Sequence, residues 1–285
     1  MEGISKEQLE KFIDAALYED VRDGDHTSLA CIPKDSRSKA RLLVKDPGVI
    51  AGVELAEMIF KKVDPTANFD TQIKDGQDVF YGDEAFYVEC NSQALLKAER
   101  LVLNTMQRMS GIATMSSRFA VEVEGTSVTI LDTRKTTPLL RFLEKWAVRI
   151  GGCTNYRDGL YDWIMIKDNH VDACGSISKA IKKVHEYFEQ TGKSLGITVE
   201  VRNLVELHET LEVGGITRIM LDNFEIPIMR EAVATIDKKF ETEASGGVNL
   251  NTVRKIAETG VDFISVGALT HSAGSLDLSL KVIKD

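Results

Sequence analysis

Polar and charged residues follow six short apolar runs in the second half of the chain. In chain order, these residues are Asp132, Thr133, Arg134 and Lys135; Lys167, Asp168, Asn169 and His170; Glu200; Asp222 and Asn223; Ser245, Gly246 and Gly247; and Gly267. If the runs are parallel strands of one sheet, their carboxyl ends meet on one face, where α/β barrel enzymes carry their active sites. The pattern therefore predicts a single polar site built from strand ends.

Basic residues are concentrated in this part of a chain whose formal net charge is −9. Arg134, Lys135, Arg157 and Lys167 are candidates for binding an anionic ligand. Arginine presents a planar fork to carboxylate or phosphate, and lysine presents a compact point charge, so the mixture favours a ligand that carries both groups. A further basic triplet, which repeats every fourth residue within 141–149, fits an anion site or a solvated helix face equally well.

Two carboxylates, Glu200 and Asp222, end neighbouring runs of the predicted sheet. Carboxylate oxygens at such a position can hold Mg²⁺ or stabilise positive charge that develops on a sugar. Salt bridges to the basic residues are the alternative. The first interpretation makes both residues candidate metal ligands.

Glycine residues that follow the last two apolar runs are suited to binding a phosphate group. Ser245, Gly246, Gly247 and Gly267 follow the last two runs, and backbone N–H groups approach a phosphate closely where no side chain intervenes. The loops after the last barrel strands are also the usual phosphate site of such barrels. Ser-Gly-Gly by itself is equally compatible with a tight turn.

The elements that must position these residues can be read from periodicity. An apolar helix face follows Ser5, which has the spacing of a helix cap. Short β-type runs between 40 and 90 predict a small antiparallel sheet, and 94–122 predicts a long helix that is bent or broken near Gly111. The rest of the chain alternates strand and helix, one helix starting with Pro138 as its first residue. This alternation implies a parallel sheet, either doubly wound or closed as a barrel.

Composition excludes several classes of protein. The pI of about 5.2 argues against nucleic acid and anionic membrane as partners. No apolar stretch approaches the length of a membrane span, and the first residues are too polar for a signal peptide. The cysteines are too far apart for a zinc site and predict free thiols in a reducing compartment. We therefore expect a cytoplasmic protein that acts on small molecules.

A long central segment resembles the signature of the quinolinate phosphoribosyltransferase family, also called nicotinate-nucleotide pyrophosphorylase (carboxylating). The segment, Asp132–His170, reads DTRKTTPLLRFLEKWAVRIGGCTNYRDGLYDWIMIKDNH. Shorter segments resemble the family in the same order: Ala98–Thr114, the VEV around Glu200, Ile219–Asn223, Glu243–Val248 and Ser265–Ser272. The resemblance implies an N-terminal α+β domain, residues 1–115 joined by the C-terminal segment 270–285. It further implies a C-terminal, incompletely closed α/β barrel over residues 116–269.

The resemblance also implies a reaction of NAD biosynthesis. Quinolinate and phosphoribosyl pyrophosphate would give nicotinate mononucleotide, pyrophosphate and CO₂ with Mg²⁺ as cofactor. The chain would work as a homodimer or as a dimer-based hexamer, and both substrates are small anions, in keeping with the basic residues described above.

Roles for individual residues follow from the same resemblance. The acid would be bound by Arg134, Tyr156, Arg157, Lys167 and His170, with Arg100 supplied by the partner subunit. Lys135, Glu200 and Asp222 would be catalytic, and the last two would also hold Mg²⁺. The 5-phosphate would be bound by Ser245, Gly246, Gly247, Gly267 and His271.

Three residues depart from the family pattern. Leu139 stands where the family usually has glycine, Cys153 where a small residue is common, and Tyr156 where the family has histidine. All three fall in the acid-binding segment, so they bear on substrate identity more than on fold. The alternatives are a related phosphoribosyltransferase that uses another anionic ring acid such as nicotinate, and a catalytically weak ligand-binding homologue. We expect Leu139 to pack against Tyr156.

Overall fold

The structure, a computed structural model, describes residues 4–283. Contacts divide the chain into two compact units. The first extends to Ser117 and includes Pro138–Gly152 and the segment from Ala273. The second consists of Arg118–Thr137 and Cys153–Ser272. The domain boundaries predicted from the sequence differ from this division, because they place residues 138–152 with the barrel. Whether the predicted domains fold separately is not addressed by the contacts, so those boundaries stay a prediction.

Helices and strands alternate through most of the described chain. In chain order they are α1 (Lys6–Val21), α2 (His26–Cys31), β1 (Arg37–Val44), β2 (Gly48–Val49), α3 (Val53–Val63), β3 (Asn68–Thr71), β4 (Asp78–Val79), β5 (Glu84–Asn91), α4 (Ser92–Glu122), β6 (Thr129–Leu131), α5 (Arg141–Ile150), β7 (Ile164–Ile166), α6 (Asp168–Cys174), α7 (Ile177–Thr191), β8 (Ile197–Val201), α8 (Leu204–Val213), β9 (Arg218–Asp222), α9 (Ile226–Ile236), β10 (Glu241–Ser245), α10 (Val253–Ala257), β11 (Phe263–Ser265), α11 (Ala268–His271) and β12 (Leu278–Val282). Among these helices, none combines the length and apolar character that crossing a membrane requires.

The first unit is built on an antiparallel sheet. Its strand order is β12-β1-β5-β3, so the C-terminal strand pairs with β1. Ala40, Leu42 and Val44 alternate along β1 with their side chains fully buried, because successive residues of a strand face opposite sides of the sheet. The antiparallel sheet predicted between 40 and 90 is confirmed.

Helix α1 begins where its sequence predicts. The side-chain oxygen of Ser5 accepts a hydrogen bond from the backbone N–H of Gln8 at 3.1 Å, which satisfies one of the unpaired donors of the first turn. Leu9 and Ile13, four residues apart, are both buried. The apolar face is therefore the packed face of this helix.

The prediction of a break in α4 is wrong, because the helix is continuous through Gly111. A Cβ atom placed on Gly111 would lie 1.8 Å from the carbonyl oxygen of Gly274. The glycine is required because the C-terminal segment crosses the helix in contact with its backbone.

The second unit contains a six-stranded sheet in the order β6-β11-β10-β9-β8-β7, with every neighbouring pair parallel. Strands β7 to β11 follow each other in chain order, and the first strand, β6, lies beside the last. This arrangement is that of a barrel; a doubly wound sheet reverses its order in the middle. Because β6 and β7 end the described sheet without pairing, the barrel is incompletely closed, as the family resemblance predicts.

The segment before α5 differs from its prediction. The helix begins at Arg141, so Pro138 is not its first residue. Leu139 has a φ of 66° and its side chain is 93% exposed. Leu139 belongs to the first unit and Tyr156 to the second, so the expected packing of Leu139 against Tyr156 stays a prediction. Further along α5, Lys145 is buried, so the basic triplet within 141–149 does not form a solvated face.

The positive φ of Leu139 predicts a gain in stability on replacement by glycine. A branched side chain in the left-handed region costs about 1–2 kcal/mol, and glycine avoids this but adds about 0.5–1 kcal/mol of backbone entropy in the unfolded chain. Leu139→Gly should raise the free energy of unfolding by up to about 1 kcal/mol, read from denaturant unfolding. Leu139→Ala retains Cβ and should stay within about 0.5 kcal/mol of the parent. A Leu139→Gly variant that is less stable than Leu139→Ala by about 0.5–1 kcal/mol would show that the backbone there is not strained.

Candidate active site

A cavity of about 790 Å³ lies at the carboxyl ends of the barrel strands. Its volume falls within the range of roughly 300–1,000 Å³ that is typical of small-molecule sites. Most residues predicted for the site line it: Arg134, Lys135, Tyr156, Arg157, Lys167, Glu200, Asp222, Ser245, Gly246, Gly247, Gly267 and His271. The strand ends therefore meet as the sequence predicts, and all of these residues belong to the second unit.

Two predicted residues lie elsewhere. Arg100 is an exposed residue of α4 in the first unit. His170 lies in the first turn of α6 and lines a separate cavity of about 340 Å³. Its Nδ1 accepts a hydrogen bond from the backbone N–H of Lys167 at 3.0 Å, which fixes the turn that carries the lysine.

One wall of the main cavity is cationic. Arg134 and Lys135 follow β6, Lys167 follows β7, and Arg157 comes from the segment between these strands. The Nε atom of Arg134 is buried and has no hydrogen-bond partner among the described residues. Burial lowers the pKa of Arg157, and the positive charge of Arg134 lowers it further. An unsatisfied buried donor and neighbouring like charges both favour an anionic ligand.

Two carboxylates line the same cavity as these cations. Glu200 is in β8, and its Oε2 lies 2.7 Å from Nζ of Lys167. Asp222 ends β9 and accepts a hydrogen bond from the side-chain amide of Asn223 at 2.9 Å. The ion pair predicted as the alternative role of Glu200 is thus present, while both carboxylates also line the cavity.

The described residues contain no cluster of three or more histidine, cysteine or acidic side chains that could by itself hold a metal ion. Magnesium does not require one, because it commonly binds through one or two carboxylates together with the phosphate oxygens of a substrate and water. The hard oxygen atoms of Glu200 and Asp222 fit that pattern.

Glycine residues bring bare backbone to the remaining side of the cavity. Gly246 has a φ of 92°, and a Cβ there would lie 2.2 Å from the side-chain oxygen of Asn223. A Cβ on Gly267 would lie 3.0 Å from Cδ of Lys135 and 3.1 Å from the ring of His271. Gly246 therefore excludes a side chain, Gly267 leaves little room for one, and both leave backbone groups accessible to a ligand.

Asp132 holds the acid-binding segment in place. This carboxylate is fully buried at the end of β6 and accepts hydrogen bonds from the side-chain amide of Asn155 at 2.6 Å and the backbone N–H of Tyr156 at 2.8 Å. Its position at a strand end was visible in the sequence, but its role as an acceptor facing into the protein was not.

Further cavity residues received no individual role from the sequence, although Thr133 and Asn223 belong to the predicted strand-end groups. These further residues are Thr133, Met165, Met220, Asn223, Val248, Ser265 and Ala268. Most adjoin a predicted residue in the chain, so adjacency was the available signal. The two methionines carried none, since apolar strand residues of this kind are also typical of a barrel core.

Cys153 does not supply a nucleophile. It is buried, and burial raises the pKa of its thiol to about 12, with a further contribution from the negative charge of Asp132. The thiol therefore stays protonated near neutral pH, whereas thiol chemistry requires the thiolate.

Comparison with known proteins covers nearly the whole chain. A family model described as quinolinate phosphoribosyl transferase, N-terminal domain, matches residues 25–110, and the corresponding C-terminal domain model matches residues 112–281. The chain is 48% identical to quinolinate phosphoribosyltransferase (decarboxylating) 1b of Nicotiana tabacum, over 96% of this chain and 82% of that protein. It is 40% identical to the probable nicotinate-nucleotide pyrophosphorylase (carboxylating) of Bacillus subtilis, over 96% of this chain and 93% of that protein.

A solved structure gives the same result for the fold. NadC from Streptococcus pyogenes superposes with a TM-score of 0.92 at 35% identity, and the match covers 100% of both chains. Matches to both domain models, identities well above 30% over nearly full length and the shared fold lead to one conclusion: the chain belongs to the quinolinate phosphoribosyl transferase family.

Proposed function

We infer that this protein transfers a phosphoribosyl group from phosphoribosyl pyrophosphate to quinolinate, with release of CO₂ and pyrophosphate. The product, nicotinate mononucleotide, is a precursor in NAD biosynthesis. The observation that carries this assignment is a cavity lined by a cationic wall and by two carboxylates, in a chain that belongs to this family. Such a cavity provides complementary charge for a dicarboxylic acid and for a sugar that becomes cationic.

The cationic wall is the proposed acid site. Arg134, Arg157 and Lys167 together match the two carboxylates of quinolinate, and the unpaired Nε of Arg134 gains a partner when an anion binds. The ring of Tyr156 adds an adjacent wall of the same cavity. His170 acts on this site indirectly, because its ring accepts a hydrogen bond from the backbone N–H of Lys167.

The carboxylate wall is the proposed site of sugar activation. As the bond from C1 of the ribose to pyrophosphate lengthens, positive charge develops on the sugar, and Glu200 and Asp222 stabilise that charge. We propose that the same two carboxylates hold Mg²⁺, which when bound neutralises charge on the pyrophosphate. Lys135 lines the same cavity, and we propose that it orients the two substrates.

The glycine-rich side of the cavity is the proposed phosphate site. Backbone groups of Gly246, Gly247 and Gly267, with the side chains of Ser245 and His271, would hold the 5-phosphate. These residues line the same cavity as the two carboxylates.

Loss of CO₂ follows from the chemistry of the ring. Once the ring nitrogen forms its bond to C1, the nitrogen is cationic and stabilises the electron pair that the departing carboxylate leaves on the adjacent ring carbon. The ring carbon then takes up a proton. The protein needs to orient and stabilise charge, and no covalent intermediate with a side chain is required.

We also propose a homodimer, or a hexamer built from dimers, in which Arg100 reaches the acid site of the partner subunit. Its support is that Arg100 is exposed on α4 and lies outside the set of residues that line the cavity of its own chain. A cytoplasmic location is proposed from the four free cysteines, which are typical of a reducing compartment.

The proposed function predicts Mg²⁺-dependent turnover of quinolinate. Purified protein with phosphoribosyl pyrophosphate should release nicotinate mononucleotide and CO₂ in equal amounts, measured by mass spectrometry and trapped radiolabelled CO₂. Chelation of divalent cations should abolish the reaction, and Lys167→Ala serves as the inactive control. Turnover of nicotinate without turnover of quinolinate would contradict the decarboxylating assignment.

The proposed dimer predicts complementation between two inactive variants. Arg100→Ala and Lys167→Ala subunits, co-expressed with different tags, should form mixed dimers with one intact site. Random pairing should restore about a quarter of the parent activity, since half of the dimers are mixed and one of their two sites is complete.

Arg157→Ala mixed with Lys167→Ala is the matched control, because both residues belong to the same cavity and every site in a mixed dimer keeps a defect. If purified mixed dimers of Arg100→Ala and Lys167→Ala are no more active than this control, Arg100 does not act across the interface.

A further inference from the structure

Tyr156 lines the active-site cavity, but its hydroxyl is bonded to the barrel interior. The hydroxyl oxygen lies 2.6 Å from Oγ1 of Thr198. The negative charge of Glu243 also acts on Tyr156 and helps to raise its pKa. Thr198 and Glu243 are both fully buried. The polar end of the side chain is thus held inside the barrel, at the position where the family has a histidine.

What each group can donate limits the direction of these hydrogen bonds. The indole of Trp163 only donates, and its Nε1 lies 2.9 Å from Oγ1 of Thr198. Glu243 faces the guanidinium of Arg218 at 3.1 Å, so its carboxylate accepts. In the bond between Tyr156 and Thr198 either hydroxyl can give its proton. Burial raises the pKa of Tyr156, and the charge of Glu243 raises it further, so the phenol keeps its proton.

Arg218 anchors both aromatic rings of this chain of hydrogen bonds. The residue is buried in β9. Its guanidinium carbon lies 3.8 Å from the ring centroid of Phe263, 5.1 Å from that of Tyr156 and 5.7 Å from that of Trp163. A desolvated guanidinium within about 6 Å of a ring is attracted to its face. The positive charge in this part of the barrel therefore comes from Arg218, and residue 156 is neutral.

The same residues hold Arg157. Its backbone follows directly on Tyr156, and its guanidinium donates to the carbonyl oxygen of Trp163 at 3.2 Å. Tyr156 and Trp163 both bond to Thr198. The position of the Arg157 guanidinium is therefore tied at two points to one buried threonine.

We propose that Trp163, Thr198 and Tyr156 position Arg157 for the acid, anchored on the buried pair of Arg218 and Glu243, and that the Tyr156 hydroxyl does not itself bind the acid. This proposal rests on the assignment of the cavity as a quinolinate site. It makes Tyr156 and Thr198 positioning residues whose effect on the acid passes through Arg157.

A double-mutant cycle between Tyr156 and Thr198 tests this. Tyr156→Phe, Thr198→Val and the double variant are compared with the parent in dissociation constants for quinolinate and for phosphoribosyl pyrophosphate, measured by calorimetry. Each single variant breaks the same series of hydrogen bonds, so each should weaken quinolinate binding by a similar factor of about three to ten. The double variant should bind quinolinate no more weakly than the single variant with the lower affinity. Affinity for phosphoribosyl pyrophosphate should change less than about twofold in all three. Thr198→Ser retains the hydroxyl and should bind quinolinate like the parent.

Three results would overturn the proposal. A loss of more than about tenfold in Tyr156→Phe with none in Thr198→Val is what a direct contact with a charged acid predicts. Losses that multiply in the double variant would mean independent actions, and unchanged affinity in both single variants would mean that Arg157 does not depend on them. If Thr198→Val fails to fold, a crystal structure of the parent with quinolinate tests the proposal instead. The proposal predicts that the Tyr156 hydroxyl keeps its hydrogen bond to Thr198. A hydrogen bond from that hydroxyl to the acid would refute the proposal.

The proposed function fails separately, by absence of quinolinate binding to the parent protein. In that case, crystal structures of the ligand-free parent and Tyr156→Phe decide the positioning role. A displaced Arg157 guanidinium in the variant supports it, and an unchanged one overturns it.

Discussion

Repulsion between gathered cations is the constraint on which this site depends. Arg134, Arg157 and Lys167 share one cavity, where burial and the charge of Arg134 already lower the pKa of Arg157. Glu200 offsets only Lys167 directly, at 2.7 Å. A flexible chain would separate such charges, whereas the parallel strands of the barrel hold their ends at fixed spacing. The positive potential that results is available to an anionic substrate and accounts for its selection.

The surrounding structure serves to hold these charges in place. Buried Asp132 fixes the backbone of Tyr156. Hydrogen bonds to Thr198 inside the barrel fix the side chains of Tyr156 and Trp163, the two residues that hold Arg157. Gly246 leaves room for Asn223, which in turn holds the carboxylate of Asp222. Several functional side chains therefore have a partner that restricts their position, so that less orientation entropy is lost when substrate binds.

The parts of the protein that depend on local pattern were predictable from sequence. Strand ends, the cap at Ser5 and the ring of site residues follow from periodicity and spacing. Gly111 was read as a helix breaker because its packing partner, Gly274, is distant in the chain. Leu139 was read as a helical residue after Pro138, although it takes a positive φ. The hydrogen bond between the hydroxyls of Tyr156 and Thr198 could not be predicted, because Thr198 comes from another part of the chain and such tertiary partners leave no signal in a single sequence.

The central claim is a division of labour between the cationic wall, which binds the acid, and the carboxylate wall, which acts on the sugar in the transition state. The most direct measurement is kcat together with the quinolinate dissociation constant for Asp222→Asn, a variant that removes charge while retaining shape. A group that works mainly in the transition state lowers kcat when it is removed and leaves acid binding nearly unchanged. The account predicts a fall in kcat of at least about a hundredfold with a change in quinolinate affinity below about threefold. Weakened quinolinate binding with a parental kcat would contradict it.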